Sequence, residues 1–391
     1  MKSKTLLVDT NRAAMPIYDS LCNMGHEVWV VGGNPNETLS KLADNYVKLD
    51  YSKADLLDDF VKKEGFDWLV PGCTDVSYEI CSEINENRFS GIDTKENVLA
   101  VNSKDQFRKI TSSLGFPIPR VLVGEEVQDY ETVIVKPVDS FSGNGISFVK
   151  SACLDELDRA IEQAESVSLT GKVLIEQFVS GQLYSHSAFY SDGSVCADFI
   201  VREDSVINPF AVDTSMVEFN FPPNIIDSLR SYVCSFASKL NLQNGLFHTQ
   251  FILTKQGDYY IIEMNRRCPG DLYSLLIEYS TGYPYAENYV LPFIGKKPYS
   301  AAHFNSKNRI TRHTVTSESE RKFRGLDFNL PVNIKSFIPL LTSGDYMAVA
   351  PRGRACILFF NSHSESEQLE LYRKLLNSEL YNFTGHRKIK K

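Results

Sequence analysis

The chain has 391 residues, with 41 Lys and Arg against 49 Asp and Glu, a formal net charge of −8, and 43% hydrophobic and 23% charged residues. That length and balance describe a globular chain of roughly two to three domains, and the acidic surplus argues against broad electrostatic binding of nucleic acid or an anionic membrane. The longest apolar runs, such as Leu6-Leu7-Val8, are too short to cross a bilayer.

Met1-Lys2-Ser3-Lys4 leads straight into a strand-like run, with no signal-peptide apolar region. The eight cysteines are scattered, without a CxxC pair. This spacing supports neither zinc nor a disulfide framework and fits free thiols in a reducing compartment, so a cytoplasmic location is the expectation. Thr5 to Val8, Val28 to Val31, Tyr46 to Leu49 and Trp68 to Val70 read as strands, with helices over Pro16 to Met24 and Leu56 to Lys63. This alternation predicts a parallel, Rossmann-like sheet. No GxGxxG follows the first strand, so a nicotinamide-binding reading loses its support. Cys73-Thr74-Asp75 lies at a strand's carboxyl end, where ligands collect in such folds; Thr74 and Asp75 serve equally well as the start of a capped helix.

From Asn102 the pattern changes. Ser103-Lys104-Asp105 starts a helix carrying Phe107, Ile110 and Leu114 on one face and stopped by Gly115. Strand Thr132 to Val135 delivers Lys136-Pro137, followed by the loop Ser140-Phe141-Ser142-Gly143-Asn144-Gly145. A lysine at a strand end and a loop whose glycines let backbone N–H groups come close suit a phosphate, although a hairpin turn also needs glycine. The sequence GxxxxGK[ST] is absent. A helix over Leu154 to Ala164 and a strand over Lys172 to Gln177 come next. Hairpins turn at Ser191-Asp192-Gly193 and Lys255-Gln256-Gly257.

In the second hairpin, alternation places Glu263 and Asn265 on one strand face, with Gln250 opposite on the preceding strand. A carboxylate and two amides are hard oxygen donors of the kind magnesium uses sparingly beside substrate phosphates. Arg267 continues the alternation and can grip an oxyanion with two parallel hydrogen bonds. Arg202, His248, Gly270 and Asp271 are further candidates for a substrate pocket. A helix cap is the favoured reading for Asp271, and a packed histidine is the favoured reading for His248. His313 is open in the same way. The last ninety or so residues carry two strands, Val332 to Leu341 and Gly353 to Phe360, and a helix over Glu365 to Leu376.

Taken together, Lys104, Lys136, the loop Ser140 to Gly145, Glu176-Gln177-Phe178-Val179, Gln250, Glu263, Asn265 and Arg267 resemble the ATP-grasp superfamily, in particular its carboxylate–amine (amino-acid) ligases and the carbamoyl-phosphate-synthetase and biotin-carboxylase types. The resemblance implies α/β and α+β architecture: a Rossmann-like pre-ATP-grasp domain over 1–102, a lid subdomain over 103–180, a subdomain with the metal site over 181–300, and a C-terminal closing lobe over 301–391. It implies ATP held by Lys104, Lys136, Ser140, Ser142, Gly143, Gly145 and the hinge, where backbone groups of Gln177 and Val179 would read adenine beside Glu176 and Phe178. It implies magnesium, with manganese as a substitute, on Gln250, Glu263 and Asn265, and Arg267 with Lys136 as catalytic groups.

Two departures stand out. Leu183 sits where the family often has a ribose-binding glutamate, which either passes that contact to Gln182 or Glu176 or leaves it weaker. Gln250 sits where the first metal ligand is often glutamate. The implied reaction is activation of a small carboxylate by ATP, transfer to an amine, and release of ADP and phosphate. Bicarbonate or a thiol as acceptor, or a nucleotide-binding regulator without turnover, are the alternatives. Many family members are dimers, so a homodimer is a further expectation.

Overall fold

The computed structural model describes residues 2–140 and 143–385. Phe141, the candidate Ser142 and the basic end His386 to Lys391 lie outside the described residues.

The elements in chain order are β1 (Lys4–Val8), α1 (Met15–Asn23), β2 (Glu27–Gly32), α2 (Thr38–Leu42), β3 (Asn45–Lys48), α3 (Ala54–Glu64), β4 (Trp68–Pro71), α4 (Asp75–Asn85), α5 (Lys95–Asn102) and α6 (Lys104–Ser113). The four strands form a parallel sheet in the order β3-β2-β1-β4, with buried apolar runs in β1, β2 and β4 as expected of strands covered on both faces. At the carboxyl ends of β1 and β4 the chain packs tightly. Asp9 accepts hydrogen bonds from the N–H groups of Asn11 at 2.7 Å and Cys73 at 2.8 Å, and any Cβ at position 72 would collide with the Asp9 side chain, so only glycine fits there. Thr74 caps α4, its hydroxyl accepting from the Ser77 N–H at 3.1 Å.

Next come β5 (Thr132–Pro137), β6 (Ser147–Lys150), α7 (Leu154–Val167) and β7 (Val173–Gln177). They make a small antiparallel sheet in the order β6-β5-β7, covered by α7, with its own core of Val133, Val135, Val149, Leu157, Ala160 and Ala164.

The remaining elements are β8 (Gln182–Ser191), β9 (Ser194–Asp204), β10 (Thr214–Val217), α8 (Pro223–Leu240), β11 (Gly245–Leu253), β12 (Tyr259–Asn265), α9 (Tyr273–Thr281), α10 (Tyr285–Val290), β13 (Arg309–Thr316), β14 (Arg321–Lys322), β15 (Leu326–Phe328), β16 (Ile334–Pro339), β17 (Tyr346–Met347), β18 (Arg354–Ser362), α11 (Glu365–Leu376) and β19 (Tyr381–Phe383). Eight of these strands form one antiparallel sheet, β12-β11-β8-β9-β10-β13-β18-β16. It runs unbroken from the expected metal strands into the expected closing lobe. The architecture is therefore α/β at the start and α+β beyond it. Among the described residues no helix is long and apolar enough to cross a membrane, and all eight cysteines are free.

Candidate functional site

One face of the eight-stranded sheet gathers polar side chains. Strand pairing sets Gln250 opposite Glu263 and His248 opposite Asn265, and on the other side of β11 it sets Gln250 opposite Ser185 and His248 opposite Ser187. Glu203 of β9 and Arg312 of β13 belong to the same face through the pairs Leu183–Glu203, Glu203–Ser215 and Ser215–Arg312. The Gln250 amide nitrogen donates to Glu203 Oε2 at 2.6 Å, which turns its carbonyl oxygen the other way. Asn265 Nδ2 stands 3.5 Å from Glu263 Oε1. Burial pushes the Glu203 carboxyl up, and its hydrogen bonds and the Arg312 charge oppose the rise. One carboxylate and two amide oxygens on adjacent strands are hard donors, so the residues present fit a magnesium ion that keeps most of its waters. Among the described residues no three His, Cys, Asp or Glu side chains converge as a closed metal cage.

The three-stranded sheet β6-β5-β7 contributes cations. Lys136 leaves β5 on the same face as Glu176 of β7, and its Nζ lies 2.5 Å from Glu176 Oε2. Arg108 of α6 reaches the same carboxylate, Nε to Oε1 at 2.5 Å, and donates from Nη2 to the Ile262 carbonyl of β12 at 2.8 Å. All three side chains are buried. Burial brings the Lys136 ammonium down to about 8, with Glu176 opposing. Burial works against the Glu176 charge too, but Lys136 and Arg108 outweigh it and hold that carboxyl below its ordinary value. Arg108 Nη1 is buried without a partner among the described residues, a donor left over for an anionic or hydroxyl ligand.

Lys104, at the first turn of α6, donates to the Ser140 carbonyl at 2.7 Å. Its charge is lowered by burial and supported by Glu263, Asp139 and Asp75. That electrostatic neighbourhood links the loop, the metal-type strand and the parallel sheet. Asp139 ties the base of the glycine loop to the turn after α7 by accepting from Ser168 Oγ and from the Leu169 and Thr170 N–H groups at 2.8 to 3.1 Å. Ser140 Oγ donates to the Asn144 carbonyl at 2.8 Å. Gly143 has φ +73° and sits directly against Phe210; Gly145 has φ +77° against Pro137 and Val167. Phe210 also stacks on Phe148 of β6 with centroids 4.9 Å apart, and Phe148 meets Phe178 edge-on at 5.2 Å. At the hinge, the Gln177 N–H is spent on the Arg120 carbonyl at 2.9 Å. The Val179 N–H has no hydrogen-bond partner among the described residues, although Val179 itself is buried.

Arg267 grips Asp75 with two hydrogen bonds, Nε to Oδ1 at 2.6 Å and Nη2 to Oδ2 at 3.3 Å. Burial opposes its charge, but Asp75 and then Glu263 outweigh it and raise the guanidinium. The end of β4 is thereby joined to the end of β12, and buried Cys73 and Cys268 meet beside it. Asp271 departs from the expected cap. The residue before α9 is Leu272, with no side-chain capping bond. Asp271 itself has φ +55°, and its carboxylate is taken by Arg354, with Arg312 Nη1 3.8 Å away. Two cations outcompete the helix N–H groups for that charge.

Other candidates are engaged elsewhere. Arg202 pairs with Asp204 at 3.0 Å and lies over the Tyr372 ring. Gln182 donates to the Glu203 carbonyl at 2.9 Å and to Asp204 Oδ2 at 3.2 Å. His248 is buried, 3.0 Å from Ser187 Oγ, and burial followed by the Arg267 charge brings it down to about 3; it is a neutral packed imidazole. His313 is likewise held between Thr214 and Tyr381, each at 2.8 Å, and is lowered to about 3 by burial. Thr74 Oγ1 lies 3.3 Å from the Tyr51 hydroxyl, and Gly270 has open space where a side chain would project. Arg108, Glu203 and Arg312 were not singled out from the sequence. The pattern Ser185-x-Ser187 opposite Gln250 and His248 was the available signal for a polar, buried sheet face.

Residues 130–274 match the ATP-grasp domain family. The chain therefore carries an ATP-grasp domain, and the resemblance drawn from its sequence holds. It is 24% identical over 365 residues to the large chain of carbamoyl phosphate synthase from Methanoregula boonei, covering 84% of this chain and 33% of that one. Across the first such relatives, this chain spans 26% to 50% of their length. Among solved structures it superposes on L-amino acid ligase from Bacillus licheniformis with a TM-score of 0.78 at 17% identity, covering 98% of this chain and 99% of that one. It also superposes on the biotin carboxylase domain of 2-oxoglutarate carboxylase from Hydrogenobacter thermophilus, in complex with MgADP, ADP and bicarbonate, with a TM-score of 0.76 at 15% identity and 98% and 91% coverage.

Proposed function

We propose that this chain is an ADP-forming carboxylate–amine ligase acting on small metabolites, with the domain division expected from its sequence. The observation that carries the reading is the convergence of Lys104 and Arg267 on the sheet edge that holds Glu263, Asn265 and Gln250, with Lys136 in the neighbourhood of Lys104. Phosphoryl transfer asks a protein mainly for positioning and for positive charge around the transferring group.

In this reading a carboxylate oxygen attacks the γ-phosphorus of ATP, the bond to the β-phosphate oxygen breaks, and ADP leaves. The amine nitrogen then attacks the acyl carbon, phosphate departs, and the amine gives up a proton. Lys136 and Lys104 hold the phosphates, and the backbone of the Gly143–Gly145 loop covers them. The Val179 N–H and the Gln177 carbonyl read adenine beside Phe178. Gln250, Glu263 and Asn265 would hold magnesium, which when bound neutralises phosphate charge. Glu203 is a positioning residue that fixes the Gln250 amide. Arg267 stabilises the acyl phosphate, and Asp75 sets its orientation. Excluding water protects that intermediate from hydrolysis.

The test is ADP release from Mg-ATP across pooled carboxylates and amines. Stimulation by one pool, with a coupled product of matching mass, is expected, and Glu263→Gln should reduce the rate by at least about 100-fold, the scale of losing a principal charge-stabilising group. A wild-type rate in that variant would refute the metal assignment.

A further inference from the structure

Phe210 stands in the loop between β9 and β10. Among the described residues it belongs to no hydrophobic core. Its ring is half-buried, and Pro209 beside it is exposed. An apolar ring at a loop tip gains nothing from its own sheet, so its use lies in what it reaches. It reaches the three-stranded sheet, where it stacks on Phe148 of β6 with centroids 4.9 Å apart and planes 29° from parallel. Gly143 lies against it too, at a position where a Cβ would collide with the Phe210 side chain.

The loop is built to hold the ring there. Asn208 Oδ1 accepts from the Phe210 N–H at 2.9 Å, and the Asn208 carbonyl accepts from the Ala211 N–H at 3.0 Å. Asp213 Oδ2 accepts from the Val206 N–H at 2.9 Å and closes the base of the loop. Short side chains bonded to nearby backbone N–H groups fix such turns before any partner arrives.

Strand register shows which wall Phe210 covers. Phe148 lies opposite Ile134 of β5, and Ile134 lies opposite Glu176 of β7. Opposed residues share a face, and Lys136 shares it two residues along. Val133, Val135 and Val149 point the other way, into the core under α7. Phe148 therefore stands on the face of Lys136 and Glu176, and it meets Phe178 of the hinge edge-on at 5.2 Å. Phe148 and Phe178 stay 46% and 38% exposed, so this wall still offers area to a flat ligand. Offset stacking is how a purine lies on an aromatic ring, and Phe210 takes that place.

We propose that Phe210 is an internal competitor for the nucleotide base: it covers Phe148 until a base displaces it, and so lowers nucleotide affinity. The proposal rests on the nucleotide-binding part of the function proposed above. A base stacks on an aromatic ring more strongly than a second phenyl ring does, so the nucleotide wins the exchange and loses part of its affinity to it.

The test is calorimetric titration of Mg-ADP into the full chain and its variants. Phe210→Ala should bind ADP about fivefold more tightly, the scale of one aromatic pair. In a Phe148→Ala background the same substitution should change affinity by less than about twofold, because the pair is already broken. A second readout is fluorescence. The native tryptophans, Trp29 and Trp68, both stand in the parallel sheet. Phe210→Trp should therefore show an ADP-dependent red shift, as its indole leaves Phe148 for water, that the wild type lacks. ADP binding by the wild type that Phe210→Ala leaves unchanged or weakens overturns the proposal and keeps the nucleotide site. Absence of ADP binding in wild type and Phe210→Ala alike removes the nucleotide site, and this proposal with it.

Discussion

At Glu176 two cations from different elements, Lys136 of β5 and Arg108 of α6, meet one buried carboxylate. Such a group is weak evidence of net stability when intact, yet removing one partner leaves an uncompensated buried charge. Glu176→Met should therefore lower stability by about 3–5 kcal/mol, because it leaves both buried cations without their carboxylate, read as a drop in the thermal unfolding midpoint; an unmoved midpoint would mean that solvent reaches Lys136 and Arg108. Lys136 adds a pH signature. Its ammonium is brought to about 8 by burial, so it loses charge as pH rises through that value, and attraction for phosphates weakens. ADP affinity, measured by titration at several pH values, should fall above about pH 8, and Lys136→Arg, which stays protonated, should flatten the fall. An equally steep decline in both proteins would place the titrating group elsewhere.

Among the elements, β11 and β12 were legible from sequence because alternation and a short turn fix which residues oppose each other. Glu263, Asn265 and Gln250 meet as that reading expected. What stayed hidden depends on partners distant in sequence. Arg108 finds Glu176 68 residues later, and Asp271 is drawn from the helix end by Arg354, 83 residues away. No local pattern encodes such pairs. The glycine loop gives the element-scale prediction. Gly143 combines φ +73° with contact against Phe210, whereas Gly193, at φ +88° in the β8–β9 turn, has nothing near it. Both positions disfavour a side chain by about 1–2 kcal/mol in backbone terms, but only Gly143 adds a collision. Gly143→Val should lower kcat by about tenfold or more under the ligase reading, while Gly193→Ala keeps near-normal turnover at some cost in stability. Equal kcat values would detach the loop from catalysis.

For the whole molecule, His248 and His313 make acid a specific stress. Each is buried and neutral, lowered from an ordinary 6.5 to about 3. Between those values the unfolded chain binds more protons than the folded one, so stability falls as pH drops below about 6.5. His313→Gln cannot take up that proton, and its thermal midpoint should decline less steeply between about pH 7 and 5 than that of the wild type; parallel declines would show that these histidines do not govern acid sensitivity. The parallel sheet and the eight-stranded sheet meet where Asp75, Lys104, Arg267 and Glu263 lie together, and acyl-phosphate chemistry is proposed for that meeting point. The measurement that tests this most directly is the mass of the phosphate released from Mg-ATP with ¹⁸O-carboxylate substrates and an amine pool. Acyl phosphate formation predicts one ¹⁸O atom in the phosphate and ADP as the nucleotide product; unlabelled phosphate, or ¹⁸O recovered in AMP, would contradict it.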